Sequence, residues 1–127
     1  MPAIANIVAA NAVPTNHTFK PQSASLALST WSENDGTIFE GNARLAVSMS
    51  NPTATRKTTR IKVVLSYPLE RTVSGIVVVP DTILYTLEAV IPSACSAAEA
   101  LDAFTTQKNV LANTLIQSYL ADREPVY

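Results

Sequence analysis

The segment from Asn42 to Ser66, NARLAVSMSNPTATRKTTRIKVVLS, constrains this chain more than any other. In its first arm Arg44, Ala46, Ser48 and Ser50 share one parity, and Leu45, Val47 and Met49 share the other. In its second arm Arg60 and Lys62 alternate with Ile61, Val63 and Leu65. A period of two belongs to strands, because successive side chains leave opposite faces of a sheet. The pattern predicts two adjacent antiparallel strands with one apolar face and one basic, hydroxyl-bearing face. The joining segment, residues 51–57, carries turn formers and two further cations, Arg56 and Lys57.

Charge is distributed unevenly. The net charge is only -1, so the chain as a whole is not basic. Yet five of its nine cations, Arg44, Arg56, Lys57, Arg60 and Lys62, fall between Gly41 and Leu69, where there is no Asp or Glu. Lysine and arginine on an exposed sheet face often serve solubility alone, but a solubilising face normally mixes both signs. A face of one sign implies an anionic partner, and nucleic acid is the first candidate. The interleaved Ser48, Ser50, Thr58 and Thr86 supply hydrogen bonds for phosphates or base edges.

A length of 127 residues favours one domain over 1–127. With 47% hydrophobic and 15% charged residues, there is apolar material for a core and too little charge for disorder. The lone Cys95 excludes a disulfide within the chain and favours a reducing compartment. The opening MPAIANIVAANAV has neither a basic leader nor a long apolar run, so neither a signal peptide nor a membrane partner is expected.

Read in order, residues 4–10 form an apolar strand, 11–14 a turn, and Thr15 to Lys20 a returning strand stopped by Pro21. This makes an N-terminal hairpin over 1–21. Ser25 to Trp31 alternates again, and Glu33-Asn-Asp-Gly36 is a turn signal. An antiparallel sheet is expected over 25–91. Within it Pro68 ends a strand, and the stretch to Pro80 is read as a long projecting loop, a candidate contact between subunits. Thr82 to Ile91 is the last strand. Its more polar set, including Thr86 and Glu88, is expected on the face of Arg60 and Lys62, and Tyr85 on the apolar face.

Ser96-Ala-Ala-Glu99 is a capping box. Leu101, Phe104, Lys108, Leu111 and Leu115 then follow at helical spacing, which predicts a helical region over 96–121 broken near Asn113. Strands followed by helices give an α+β order. One helical region cannot cover an apolar sheet face of about five strands. A dimer whose helices lie across each other's sheets would cover it.

Catalytic chemistry finds no support. His17 and Cys95, each the sole residue of its kind, lie in no nucleophile motif. No His, Cys or carboxylate spacing suits a metal, and neither G-x-G-x-x-G nor a P-loop is present, so no cofactor is expected. Glu33, Asp35 and Glu40 read as a solvated turn, and Glu99 and Asp102 as acids favoured by a helix N-terminus.

Several short motifs together resemble the coat proteins of single-stranded RNA bacteriophages, the leviviruses. They are N-H-T-F-K-P at Asn16 to Pro21, R-K-T-T-R-I-K-V at Arg56 to Val63, T-V-S-G at Thr72 to Gly75 followed by Val79-Pro80, L-E-A-V-I-P at Leu87 to Pro92, and the closing Pro-Val-Tyr127. The resemblance implies an N-terminal β-hairpin, a five-stranded antiparallel sheet and two C-terminal α-helices, interlocked as a homodimer. It further implies an icosahedral shell in the virion, assembled in the bacterial host cytoplasm, with the sheet facing a single-stranded RNA genome. It also implies repression of translation through an RNA hairpin. By motif position it assigns RNA contacts to Arg44, Ser48, Arg56, Lys57, Lys62 and either Thr59 or Arg60. The strand pattern adds Ser50, Thr86 and Glu88. Ala46 stands where better-known members have threonine. The alternative is a regulatory RNA-binding dimer that does not depend on a shell.

Overall fold

The computed structural model of the chain describes residues 4–10, 16–25, 27–34, 36 and 38–123. The turn expected over 11–14, Asp35 and the closing Tyr127 lie outside the described residues. The chain forms two compact units, 1–90 and 91–127.

The first unit is built on an antiparallel sheet in sequence order: β1 (Ile7–Ala10), β2 (Asn16–Ala24), β3 (Leu28–Ser32), β4 (Arg44–Ser50), β5 (Thr58–Val73) and β6 (Ile76–Pro92). The two alternating arms of the sequence are β4 and β5. Their register runs from Arg44 opposite Ser66 to Ser50 opposite Arg60. Opposed residues share a face, so Leu45, Val47 and Met49 stand with Leu65, Val63 and Ile61 as expected.

Two expectations about strand ends are corrected. Pro21 does not stop β2, which continues to Ala24 through a register shift between Pro21 and Ser23. A bulge is where a strand accommodates a residue that cannot donate a ladder hydrogen bond. Ser25 then closes the β2–β3 turn: its hydroxyl accepts from Leu28 N at 2.9 Å and donates to Leu28 O at 2.7 Å.

Nor does Pro68 end β5. The β4 ladder stops at Ser66, so Pro68 lies where β4 no longer demands an N–H donor. The expected loop between Pro68 and Pro80 is strand on both sides. It closes in a two-residue turn with both residues at positive φ, Ser74 at 53° and Gly75 at 80°. That combination is the twist-matched hairpin turn, and it lets β5 and β6 run on as a two-stranded ribbon beyond β4.

Between β3 and β4 the chain passes through a junction that carries a short 3-10 helix over Phe39–Gly41; the turn expected at Glu33–Gly36 includes Asp35, outside the described residues. Glu33 N–H donates to Ala43 O at 3.1 Å, and Ala43 N–H donates back to a Glu33 carboxylate oxygen at 3.3 Å. His17 Nδ1 lies 2.7 Å from the other Glu33 oxygen, and its ring meets Tyr67 edge-on at 6.0 Å. Glu33 is therefore no solvated turn acid. It is 4% exposed, and Asn42, whose side-chain oxygen accepts from Gly36 N–H, is 8% exposed.

Among the described residues the only buried hydrophobic side chains are Phe19 and Ala43. The apolar face of β4 and β5 is half-buried, with Met49 exposed.

The second unit holds α1 (Ala97–Leu111) and α2 (Thr114–Ala121). The capping box is present: Ser96 Oγ accepts from Glu99 N, and Glu99 accepts from Ser96 N, each at 3.2 Å. A hydrogen bond from the Ser96 side chain to the Glu99 carboxylate, and after it the one from the Ser96 backbone N–H, hold that carboxyl below the usual carboxylate range. The predicted break falls at Asn113, whose side chain caps α2 by accepting from Leu115 N at 2.9 Å. Leu101, Phe104, Leu111 and Leu115 are all exposed, and neither helix has a buried residue.

Candidate nucleic-acid interface

The face opposite Leu45 and Val63 is assembled by register. Lys20 opposes Ser32, Ser32 opposes Arg44, and Arg44 opposes Ser66, so one row crosses four strands as Lys20–Ser32–Arg44–Ser66. The next row is Ser23–Thr30–Ala46–Val64, uncharged, with the Ser23 and Thr30 hydroxyls 2.7 Å apart. Beyond it Leu28, Ser48 and Lys62 align, and then Ser50 and Arg60. Strand rise of about 3.4 Å per residue separates the first row from the Ser48–Lys62 row by roughly 14 Å.

Arg44, Ser50, Arg60 and Lys62 are exposed and Ser48 is half-buried. Among the described residues no carboxylate forms an ion pair with Lys20, Arg44, Arg60 or Lys62. Four fixed cations outside any ion pair among the described residues, on one pleated surface, attract polyanions over a distance of about a Debye length, 8–10 Å at ordinary salt.

The other sequence-assigned residues fall differently. Thr59 is one residue from Arg60 on β5, so it leaves the sheet on the side of Ile61. Arg56 is tied into its own loop: Nη2 donates to Ser50 Oγ at 2.6 Å and to Asn51 O at 2.9 Å. Its Nε is buried without a partner, and its backbone closes a turn with Thr53. Arg56 thus braces the 51–57 loop, whereas Lys57 beside it is exposed. Thr86 and Glu88 lie one pleat apart on β6, both exposed.

Sequence reasoning missed Lys20. It is the last residue of the strand expected over Thr15 to Lys20, and only the two-step register through Ser32 brings it to the row of Arg44. It also missed Phe39, whose ring lies under the Arg44 guanidinium at 5.1 Å.

Among the described residues no group of His, Cys, Asp and Glu could hold a metal ion, and no helix is long and apolar enough to cross a membrane. A cavity of about 300 Å³ lies beside the Glu33 junction, lined in part by His17, Tyr67, Glu70 and Arg71.

The antiparallel sheet is followed in sequence by two C-terminal helices, an order shared with solved levivirus-like particles. The chain matches the levivirus coat protein family over residues 2–127 and belongs to that family. It is therefore a structural capsid protein and not an enzyme.

Among solved structures it is similar to the virus-like particle of Beihai levi-like virus 21, at 24% identity and a TM-score of 0.88, with 99% of each chain covered. The virus-like particle of bacteriophage ESE058 aligns at 23% identity and a TM-score of 0.86, covering 99% of this chain and 100% of that one. The capsid protein of bacteriophage GA aligns at 14% identity and a TM-score of 0.71, covering 92% and 93%. At these identities the likeness establishes the fold. No match was found among curated proteins.

Proposed function

We propose that the chain dimerises, that the dimers assemble into an icosahedral shell in the virion, and that the cationic sheet face holds the single-stranded RNA genome. Assembly would take place in the cytoplasm of the bacterial host. The observation that carries the dimer is the lack of cover on the apolar surfaces. Six side chains, Leu45, Val47, Met49, Ile61, Val63 and Leu65, share one sheet face, and both helices carry exposed leucines and aromatics. Completing the burial of a half-buried aliphatic side chain gains about 1 kcal/mol. A second copy laying its helices across the sheet would gain several such increments at once.

The face carrying Arg44, Arg60 and Lys62 supports the RNA reading. Ser48 and Ser50 offer hydroxyls between the cations, and Lys57 extends the charge along the loop. Thr86 and Glu88 add a hydroxyl and a carboxylate able to address base edges. Arg56 acts through the loop it braces. Repression of translation through an RNA hairpin would use the same face.

The test is RNA binding by the full chain with Arg60 and Lys62 replaced by alanine. For a single strand each lost phosphate contact lowers the slope of log affinity against log salt by about 0.7, so the double variant should lose about 1.4. Unchanged affinity and slope would remove RNA from this face.

A further inference from the structure

We propose that Phe39, backed by Arg44 at the end of the row that runs across to Lys20, is a base-stacking subsite at the rim of the cationic face. The inference rests on the RNA reading of that face and adds a contact of a different kind, to a base and not to a phosphate.

Three observations converge on it. Phe39 is 74% exposed, more than any other large apolar side chain among the described residues. Beyond its contact with the Arg44 guanidinium, a ring so exposed buries little within the single chain. Its surroundings nevertheless hold it in place. Gly41 N–H donates to Ile38 O at 3.0 Å and Asn42 N–H to Phe39 O at 3.3 Å, while the buried Asn42 side chain ties the turn to Gly36. Ile38 N–H also donates to a Glu70 carboxylate oxygen at 3.4 Å. Finally, the Arg44 guanidinium sits 5.1 Å from the ring centroid, which joins the ring to the row that runs back to Lys20. Lys20 stands two strands from Arg44, about 10 Å away at ordinary strand spacing.

An anchored aromatic ring beside unpaired cations is how proteins hold a single strand without sequence readout: the ring takes a base and the cations take the neighbouring phosphates. Glu40 is next in the chain and the Glu70 carboxylate accepts from Ile38 N–H, so a phosphate is disfavoured directly at the ring. The phosphate position is the Lys20–Arg44 row. Any of the four bases suits such a platform, because each presents a π-face.

The test compares a short labelled oligoadenylate with its abasic counterpart, bound to the nucleic-acid-free full chain. Phe39→Leu should weaken oligoadenylate about 5- to 100-fold with an unchanged salt slope, and leave the abasic strand alone. Phe39→Trp should retain the affinity. Lys20→Ala should weaken both strands and lower the slope by about 0.7. Equal loss on both strands for Phe39→Leu would overturn stacking. So would wild-type binding by Phe39→Leu while the Arg60 and Lys62 double variant binds poorly, a result that leaves the face reading intact. If the double variant also binds normally, both readings fall. Loss of particle assembly in Phe39→Leu with full oligoadenylate affinity would make Phe39 a contact between subunits and overturn the subsite.

Discussion

Around Glu33 and Ala43 the chain closes on itself, while across β4 and β5 it does not. The junction holds three of the four residues buried among those described, Glu33, Asn42 and Ala43, and satisfies the Glu33 carboxylate through His17 and Ala43 N–H. The regular ladder a few residues away, made of better strand formers, keeps Val47, Val63 and Leu65 only half-buried. Polar burial must be completed within the chain, because an unpaired buried carboxylate costs several kcal/mol at any moment it lacks partners. Apolar burial can wait for a second copy, since half-wet valines cost only about 1 kcal/mol each. The contrast separates what one chain needs to hold its shape from what it leaves to assembly.

The largest expected effect lies on the open side. Val63→Asp puts a charge at the centre of the apolar face opposite Val47. It should abolish dimers and particles in sedimentation while leaving strand content intact by circular dichroism. Val64→Asp, one residue along on the cationic face, should leave the dimer and weaken RNA binding. Equal effects from both would erase the distinction between faces.

On the closed side, Glu33→Ala removes the carboxylate that accepts from Ala43 N–H and lies beside the His17 ring. A loss of about 3 kcal/mol is expected in urea unfolding at fixed protein concentration. Gly41→Ala is milder. Its methyl would collide with the Glu70 carboxylate, so that side chain must swing away and release Ile38 N–H. About 1–2 kcal/mol should be lost in the same assay.

The smallest effect is at the helix cap. Because the folded Glu99 carboxyl lies below the ordinary range, its stabilisation is complete above the unfolded value, near 4.3. It is lost as pH falls through the folded value. Helicity of the wild-type chain should therefore decline in that acid window, and Glu99→Gln should flatten this part of the profile, read by circular dichroism.

Much of the fold was legible because its signals are local. Period two in Arg44–Ser50 and Arg60–Leu65 sets strand and face together, and Ser96–Glu99 with Asn113 marks both helix starts. The proline expectations failed because Pro21 and Pro68 sit at a bulge and beyond the end of β4, places where a missing N–H costs little, and a sequence does not show where a neighbouring strand stops. Glu33 looked like a turn acid because its partners, His17 and Ala43, are distant or silent in sequence. The interface was half legible. Arg44, Ser48, Ser50, Arg60 and Lys62 were assigned to one face by parity, but Lys20 joins them only through the register of β2 and β3, and Phe39 only through the path of the junction.

Sedimentation equilibrium of the wild-type chain, in a buffer that takes particles apart but preserves strand content, tests the account most directly. A folded species of twice 13.6 kDa is predicted, persisting on dilution until structure and association are lost together. A stable, folded species of 13.6 kDa would contradict it.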